Sequence, residues 1–143
     1  ELFIQAQETK GLSDPAYLKA KATAKALAAE KGIDALMAQN KVDALVSESY
    51  GPAWRTDGVV GDHASGPISG LAAVAGYPHL TVPMGQVRGL PVGLSFVGPA
   101  WSEARLLALG AAFEAVSKGR KPPLYLPSVE TTPDMAAAFS PMP

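Results

Sequence analysis

Interleaved helix and strand signals predict an α/β or α+β layered fold. Three stretches carry that expectation: an alanine-rich helical run opening at Asp14-Pro15, the apolar pentapeptide Val42–Val46, and the segment Ala72–Glu103. In the last, Gly76, Gly85, Gly89, Gly93 and Gly98, with Pro78, Pro83, Pro91 and Pro99, punctuate two strand signals and lead into a helix start. Alternation of the two periodicities places helices against a sheet. Only about three strands are legible. A sheet that small, bulky on one face, is incomplete by itself, so it is expected to be part of a larger one.

Taken in order, Ser13-Asp14-Pro15 reads as a helix start, a capping side chain followed by a proline whose missing N–H costs nothing in the first turn. The helix is expected to run to about Lys31, with Tyr17, Ala20, Ala24, Leu27 and Ala28 as its core stripe. Gly32 is expected to break it, and Ile33 to Gln39 to form a second short helix. Val42–Val46, apolar on both faces, reads as a buried strand. Ser47 to Gly70 reads as a long loop, and loops of that length are commonly functional.

Pro67 is expected in the first turn of a short helix through Ala75, with Gly76 as its stop. His79–Pro83 and Leu90–Val97 read as strands joined by a turn over Met84–Gly89. In the second strand Val92, Leu94 and Phe96 point one way, Pro91, Gly93 and Ser95 the other. One face is bulky; the other is bare enough for close approach of a backbone or a ligand. Ser102 is expected to cap a helix with Glu103 in its first turn, Leu106, Leu109, Phe113 and Val116 as its core stripe and Gly119 as its end. From Lys121 the chain reads as coil, with residues 129–143 a proline-rich tail.

Composition narrows the function classes. The 143 residues are 48% hydrophobic and 17% charged, a folded globule's balance, with a net charge of −1. Lys19, Lys21, Lys25 and Lys31 come nearest to a basic run and read as a solvated helix face, so neither nucleic acid nor membrane is an expected partner. Absence of cysteine excludes disulfides and thiolate metal sites. No apolar run reaches the ~18 residues of a membrane span, and Glu1-Leu-Phe-Ile lacks the basic segment of a secretory signal.

Candidate chemistry is sparse. His63 and His79, with Asp62 beside the first, show no metal-ligand spacing, so no metal is expected and His79 reads as a structural hydrogen-bonder. Ser65 and Ser69 lie near His63, but no nucleophile elbow surrounds either serine, and turn or capping roles explain both. Gly58–Gly61 and Gly85–Gly89 read as turns rather than phosphate loops. Asp57 and Asp62 can be nominated as paired carboxylates, although their loop spacing fixes no geometry.

The spaced motifs Ala75-Gly76-Tyr77-Pro78, Thr81-Val82-Pro83-Met84-Gly85, Gly89-Leu90-Pro91-Val92-Gly93-Leu94-Ser95-Phe96-Val97-Gly98 and Trp101-Ser102-Glu103 with Leu106-Leu107 resemble the C-terminal signature of the amidase-signature family. Gly32-Ile33-Asp34-Ala35 and Val42–Val46 upstream, with Ala112-Phe113-Glu114 and Lys121-Pro122-Pro123 downstream, extend the resemblance to roughly residues 12–128. It implies the C-terminal part of an α/β/α fold, a few strands of a mixed sheet packed with helices, occupying residues 1–128. It also implies amide hydrolysis through a Ser–cis-Ser–Lys triad and a backbone oxyanion hole, without a cofactor. The family's serine-rich segment has no counterpart in this sequence, so no residue here takes a catalytic role, and the chain alone is expected to be silent.

The same resemblance places the loop around Trp54 and Asp57 along one side of the acyl pocket, making these two the substrate-binding candidates, against a loop-packing alternative. Its implied substrate is a small-molecule amide and its implied compartment the cytoplasm. Ala73-Val74, where an Asn often precedes the Ala-Gly-x-Pro turn, makes the chain more like stand-alone amidases than the glutamyl-tRNA amidotransferase subunit. The competing class is a non-catalytic binding or structural module using the bare strand face. As part of a larger fold, the chain is expected to expose apolar surface and to self-associate through it.

Overall fold

The computed structural model describes residues 1–62, 68–123, 125 and 127. The chain begins with an exposed helix α1 (Leu2–Gln7), followed by α2 (Pro15–Ala28), a π-helical segment (Ala29–Asp34) and α3 (Ala35–Asn40). Strand β1 (Leu45–Glu48) and helix α4 (Ser69–Ala75) precede the hairpin β2 (His79–Val87) and β3 (Leu90–Val97), and α5 (Glu103–Ser117) follows. The sheet has the order β1-β3-β2, with β3 in the middle and antiparallel to both neighbours. This is the expected α/β architecture.

The two faces of β3 organise the layers. Phe96 on one face packs with Val82, Leu80, Leu94 and, from α5, Leu106, Leu109 and Phe113. Val97 on the other joins Ala28, Ala29, Ile33 and Met37 of the helical run and Ala72 and Ala75 of α4, with Leu45 of β1 packed against them. Helices therefore cover the sheet on both sides, each held by alternate residues of one strand.

Helix starts and stops largely follow local chemistry. Asp14 Oδ1 accepts from the amides of Ala16 (2.7 Å) and Tyr17 (3.4 Å), and Pro15 occupies the first turn. The Ala72 carbonyl at the end of α4 accepts from the amides of Gly76 (2.9 Å) and Tyr77 (3.0 Å). Gly76 is thus the stop that the sequence predicts; Pro67 lies outside the described residues.

Several expectations are corrected. Gly32 does not break the helical run, which passes through the π-helical segment into α3. Burial of Ala29, Ile33 and Met37 on one side offsets the roughly 1 kcal/mol that a helical glycine costs. Of the α2 stripe only Ala28 is core: Tyr17, Ala20, Ala24 and Leu27 are exposed, because α4 and the π-helical segment cover the end of α2 around Ala28. The first strand is Leu45–Glu48 rather than Val42–Val46. Lys41 closes α3 in the left-handed region (φ 52°) and the Val42 amide still bonds to the Met37 carbonyl, 3.2 Å away, so residues 42–44 are spent leaving the helix. This strand lies at a sheet edge with Val46 exposed, not buried on both faces.

Strand β2 continues past Pro83 to Val87, where the sequence predicts a turn over Met84–Gly89. A bulge between Pro83 and Gly85 absorbs Met84 and restores pairing, leaving a turn of only Arg88 (φ 50°) and Gly89 (φ 78°). Two positive φ angles define the type I′ turn, whose twist matches that of the strands. Ser102 does not cap α5 with its side chain; its hydroxyl donates to the Pro99 carbonyl (2.7 Å), while its own carbonyl accepts from Arg105 and Leu106 (3.0 Å each). Leu106, Leu109 and Phe113 are core as expected. Val116 is 86% exposed, and α5 ends at Ser117, before Gly119.

Arg88 occupies a left-handed position that asparagine adopts more readily. Arg88→Asn is expected to stabilise the chain by about 0.5 kcal/mol, measured as a higher urea midpoint at an unchanged slope.

Candidate functional site

The bare face of β3 holds a cluster of polar side chains. Gly93 is the reason they can meet: a Cβ there would lie 2.7 Å from Thr81 Cγ2 and 2.8 Å from Ser49 Oγ. Beside it Ser95, fully buried, donates to Ser49 Oγ (2.8 Å). Ser49 Oγ donates to Thr81 Oγ1 (3.3 Å), and Thr81 Oγ1 lies 3.3 Å from Ser95 Oγ. His79 Nε2 completes the group, 2.6 Å from Ser95 Oγ. Sequence reasoning saw the small face and assigned His79 a hydrogen-bonding role. It missed Ser49 and Thr81 as members; the pairing Thr81↔Ser95 follows from the hairpin register, whereas nothing local to Ser49 announces its place.

The loop after β1 holds both substrate-binding candidates. Trp54 stacks on Tyr50 (ring centroids 5.8 Å apart, planes at 28°) and its Nε1–H donates to Asp62 Oδ1 (3.2 Å). Asp57 makes a turn on itself, Oδ1 accepting from the amides of Val60 (2.9 Å) and Val59 (2.8 Å). Those N–H groups, Val60 first, hold its carboxyl below the usual value of 3.8. Asp57 and Asp62 thus have separate partners and do not form a carboxylate pair. Ser69 begins α4; His63 and Ser65 lie outside the described residues. Among the described residues no three His, Asp or Glu side chains gather as metal ligands. No helix described is long and apolar enough to cross a membrane.

A shallow cleft of about 200 Å³ opens between Lys25, Tyr77, Trp101 and Glu103, remote in sequence from the loop. The hydroxyl of Tyr77, one of its lining residues, donates to Asp34 Oδ2 (2.7 Å), tying the π-helical segment to the chain just before the hairpin.

The arrangement is similar to part of solved peptide amidases. The amidase family model matches residues 3–107. The native peptide amidase of Stenotrophomonas maltophilia is 48% identical, with a TM-score of 0.77, over 85% of this chain and 24% of its own. A peptide amidase in complex with the competitive inhibitor chymostatin is 48% identical, with a TM-score of 0.81, over 87% of this chain and 25% of that one. A glutamyl-tRNA(Gln) amidotransferase subunit from Streptococcus suis is 48% identical over 48 residues, 34% of this chain and 10% of that protein. The chain therefore belongs to the amidase family, the amidase-signature proteins. It spans about a quarter of the solved peptide amidases, and its match to the amidotransferase covers a tenth of that protein.

Two substitutions probe this geometry. Gly93→Ala forces Thr81 and Ser49 apart and is expected to cost roughly 1–3 kcal/mol in chemical denaturation. The Asp34 bond, then burial, then the charges of Asp34 and Glu30, raise the Tyr77 phenol above its ordinary 10.0. Folding thereby favours the protonated phenol; the stabilisation is complete below the unfolded value and lost as pH rises through the folded one. Tyr77→Phe is expected to cost about 1 kcal/mol at neutral pH. The wild-type excess over Tyr77→Phe shrinks above about pH 10, read from unfolding curves across that range.

Proposed function

We propose that this chain supplies the C-terminal sheet and one pocket wall of an amide hydrolase of the peptide amidase kind. The observation that carries the proposal is the likeness, in both sequence and fold, to peptide amidases over most of the chain. The acyl transfer runs through the family's Ser–cis-Ser–Lys triad, contributed by sequence other than these 143 residues. An activated serine hydroxyl attacks the amide carbon, backbone N–H groups hold the oxyanion, the amine leaves with a proton, and water then cleaves the serine ester to release the acid and restore the hydroxyl.

This chain's part is to bind and orient. Residues 1–128 act as the scaffold segment and 129–143 as a coil tail, the latter outside the described residues. Trp54 offers an aromatic surface braced on Tyr50, and Asp57 a carboxylate held in its ionised form, both at the substrate's acyl side. The proposal carries with it a small-molecule amide or peptide amide as substrate, no cofactor, no nucleic-acid or membrane partner and a cytoplasmic setting. Helix α5 is apolar on nearly all sides, with Leu107 and Val116 exposed, which supports self-association of the chain when it stands alone.

A role in a tRNA-dependent amidotransferase is the second reading, favoured by the short match to the Streptococcus suis protein. The near-neutral charge and Ala73-Val74 count against it. Exchanging the corresponding quarter of the Stenotrophomonas maltophilia peptide amidase for this chain tests both. The chimera is expected to release ammonia from peptide amides, while the 143-residue chain alone releases none. A folded but inert chimera overturns the proposal, as does hydrolysis by the isolated chain that disappears on substituting Ser65 or Ser69. Activity only with glutamine and glutamyl-tRNA favours the second reading.

A further inference from the structure

The polar cluster on the bare face of the sheet forms a closed circuit that the acyl-transfer step does not use. The proton of Ser95 is directed to Ser49, and that of Ser49 to Thr81. The Thr81 hydroxyl is then the one free to turn its proton back to Ser95. With the Ser95 proton already committed, the 2.6 Å contact from His79 requires that Nε2 carry the hydrogen. Three hydroxyls thus point around a ring, and an imidazole N–H donates into its buried corner.

What the ring holds is the root of a loop. Ser49 is the first residue beyond β1, and its amide also bonds to the Gly93 carbonyl (2.7 Å). After it come Tyr50, Trp54 and Asp62, linked by the ring stack and the indole bond, and between them Asp57, which fixes its own turn over Val59 and Val60. A loop braced within itself takes its placement from where it is tied to the scaffold.

We propose that Ser49, Thr81, Ser95 and His79 form a positioning network for substrate binding, setting where the Trp54–Asp57 loop stands relative to the sheet. The proposal rests on the amide-hydrolase reading for its effect on substrate. None of the four touches the reacting atoms, so their loss is read in binding rather than in the chemical step.

Two measurements test it. In the 143-residue chain, trypsin cleavage after Arg55 reports release of the loop. Ser49→Ala and Ser95→Ala are each expected to speed it about fivefold under conditions where the variants are folded, the factor expected for one lost hydrogen bond. Ser49→Thr restores the slow rate. In the active chimera, Ser49→Ala is expected to raise KM by about fivefold with kcat nearly unchanged. Ser49→Thr returns KM to its original value, and Phe113→Leu, on the opposite face of the sheet, lowers Tm without moving KM. Unchanged cleavage after Arg55 in folded Ser49→Ala and Ser95→Ala overturns the proposal, as does an unchanged KM in the Ser49→Ala chimera. An inert parent chimera counts against the amide-hydrolase reading alone, and the cleavage rates still decide whether the network holds the loop.

Discussion

The structure depends on β3 being paired on both edges and packed on both faces. Its even-numbered residues Leu94 and Phe96 meet α5, and Val97 meets the helical run and α4. Its backbone is shared between β1 and β2. Every layer is positioned by this strand, so its small residues are as constrained as its large ones. Gly93 and Ser95 leave the space in which side chains from the two outer strands converge. A bulkier strand would fill the same position in the sheet but push β1 and β2 side chains away from each other.

Much of this was legible in the sequence wherever the cause is local. Asp14-Pro15, Gly76 and the alternation of β3 act through neighbours a few residues away, and each appears in the structure as its chemistry requires. The Leu106–Leu109–Phe113 stripe is similarly plain, because α5 offers it to a sheet already implied by the hairpin. The errors have a common origin in tertiary contact. Gly32 carries a helix-breaking preference that burial of Ile33 and Met37 overrides, and the α2 stripe is solvated except at Ala28, where α4 and the π-helical segment pack on it. Nothing in the sequence of Met84 indicates a bulge, since the ladder beyond it supplies the reason for one.

The candidate site shows the same division more sharply. Ser49 and Ser95 are 46 residues apart, and their hydrogen bond exists only in one register of β1 on β3. A periodicity argument sees a small face there but has no means of bringing a second strand to it. Asp57 is different: its turn is made with Val59 and Val60, yet a self-contained turn looks alike in a binding loop and in a packing loop. Family membership enters at that point, placing the chain in the amidase family from motifs that are themselves scaffold.

The tight Arg88-Gly89 turn has a consequence for the order of assembly. The two strands that it joins need almost no chain closure, and such hairpins form in about 1–10 μs. Strand β1 must instead close the whole intervening loop and α4 before it meets β3, with a correspondingly larger entropic cost. His79, Thr81 and Ser95 therefore come together with the hairpin, while Ser49 arrives with the slower strand. In folding, the ring of hydroxyls behaves as a latch: three of its members are set early, and the fourth closes it only when β1 has docked in the correct register.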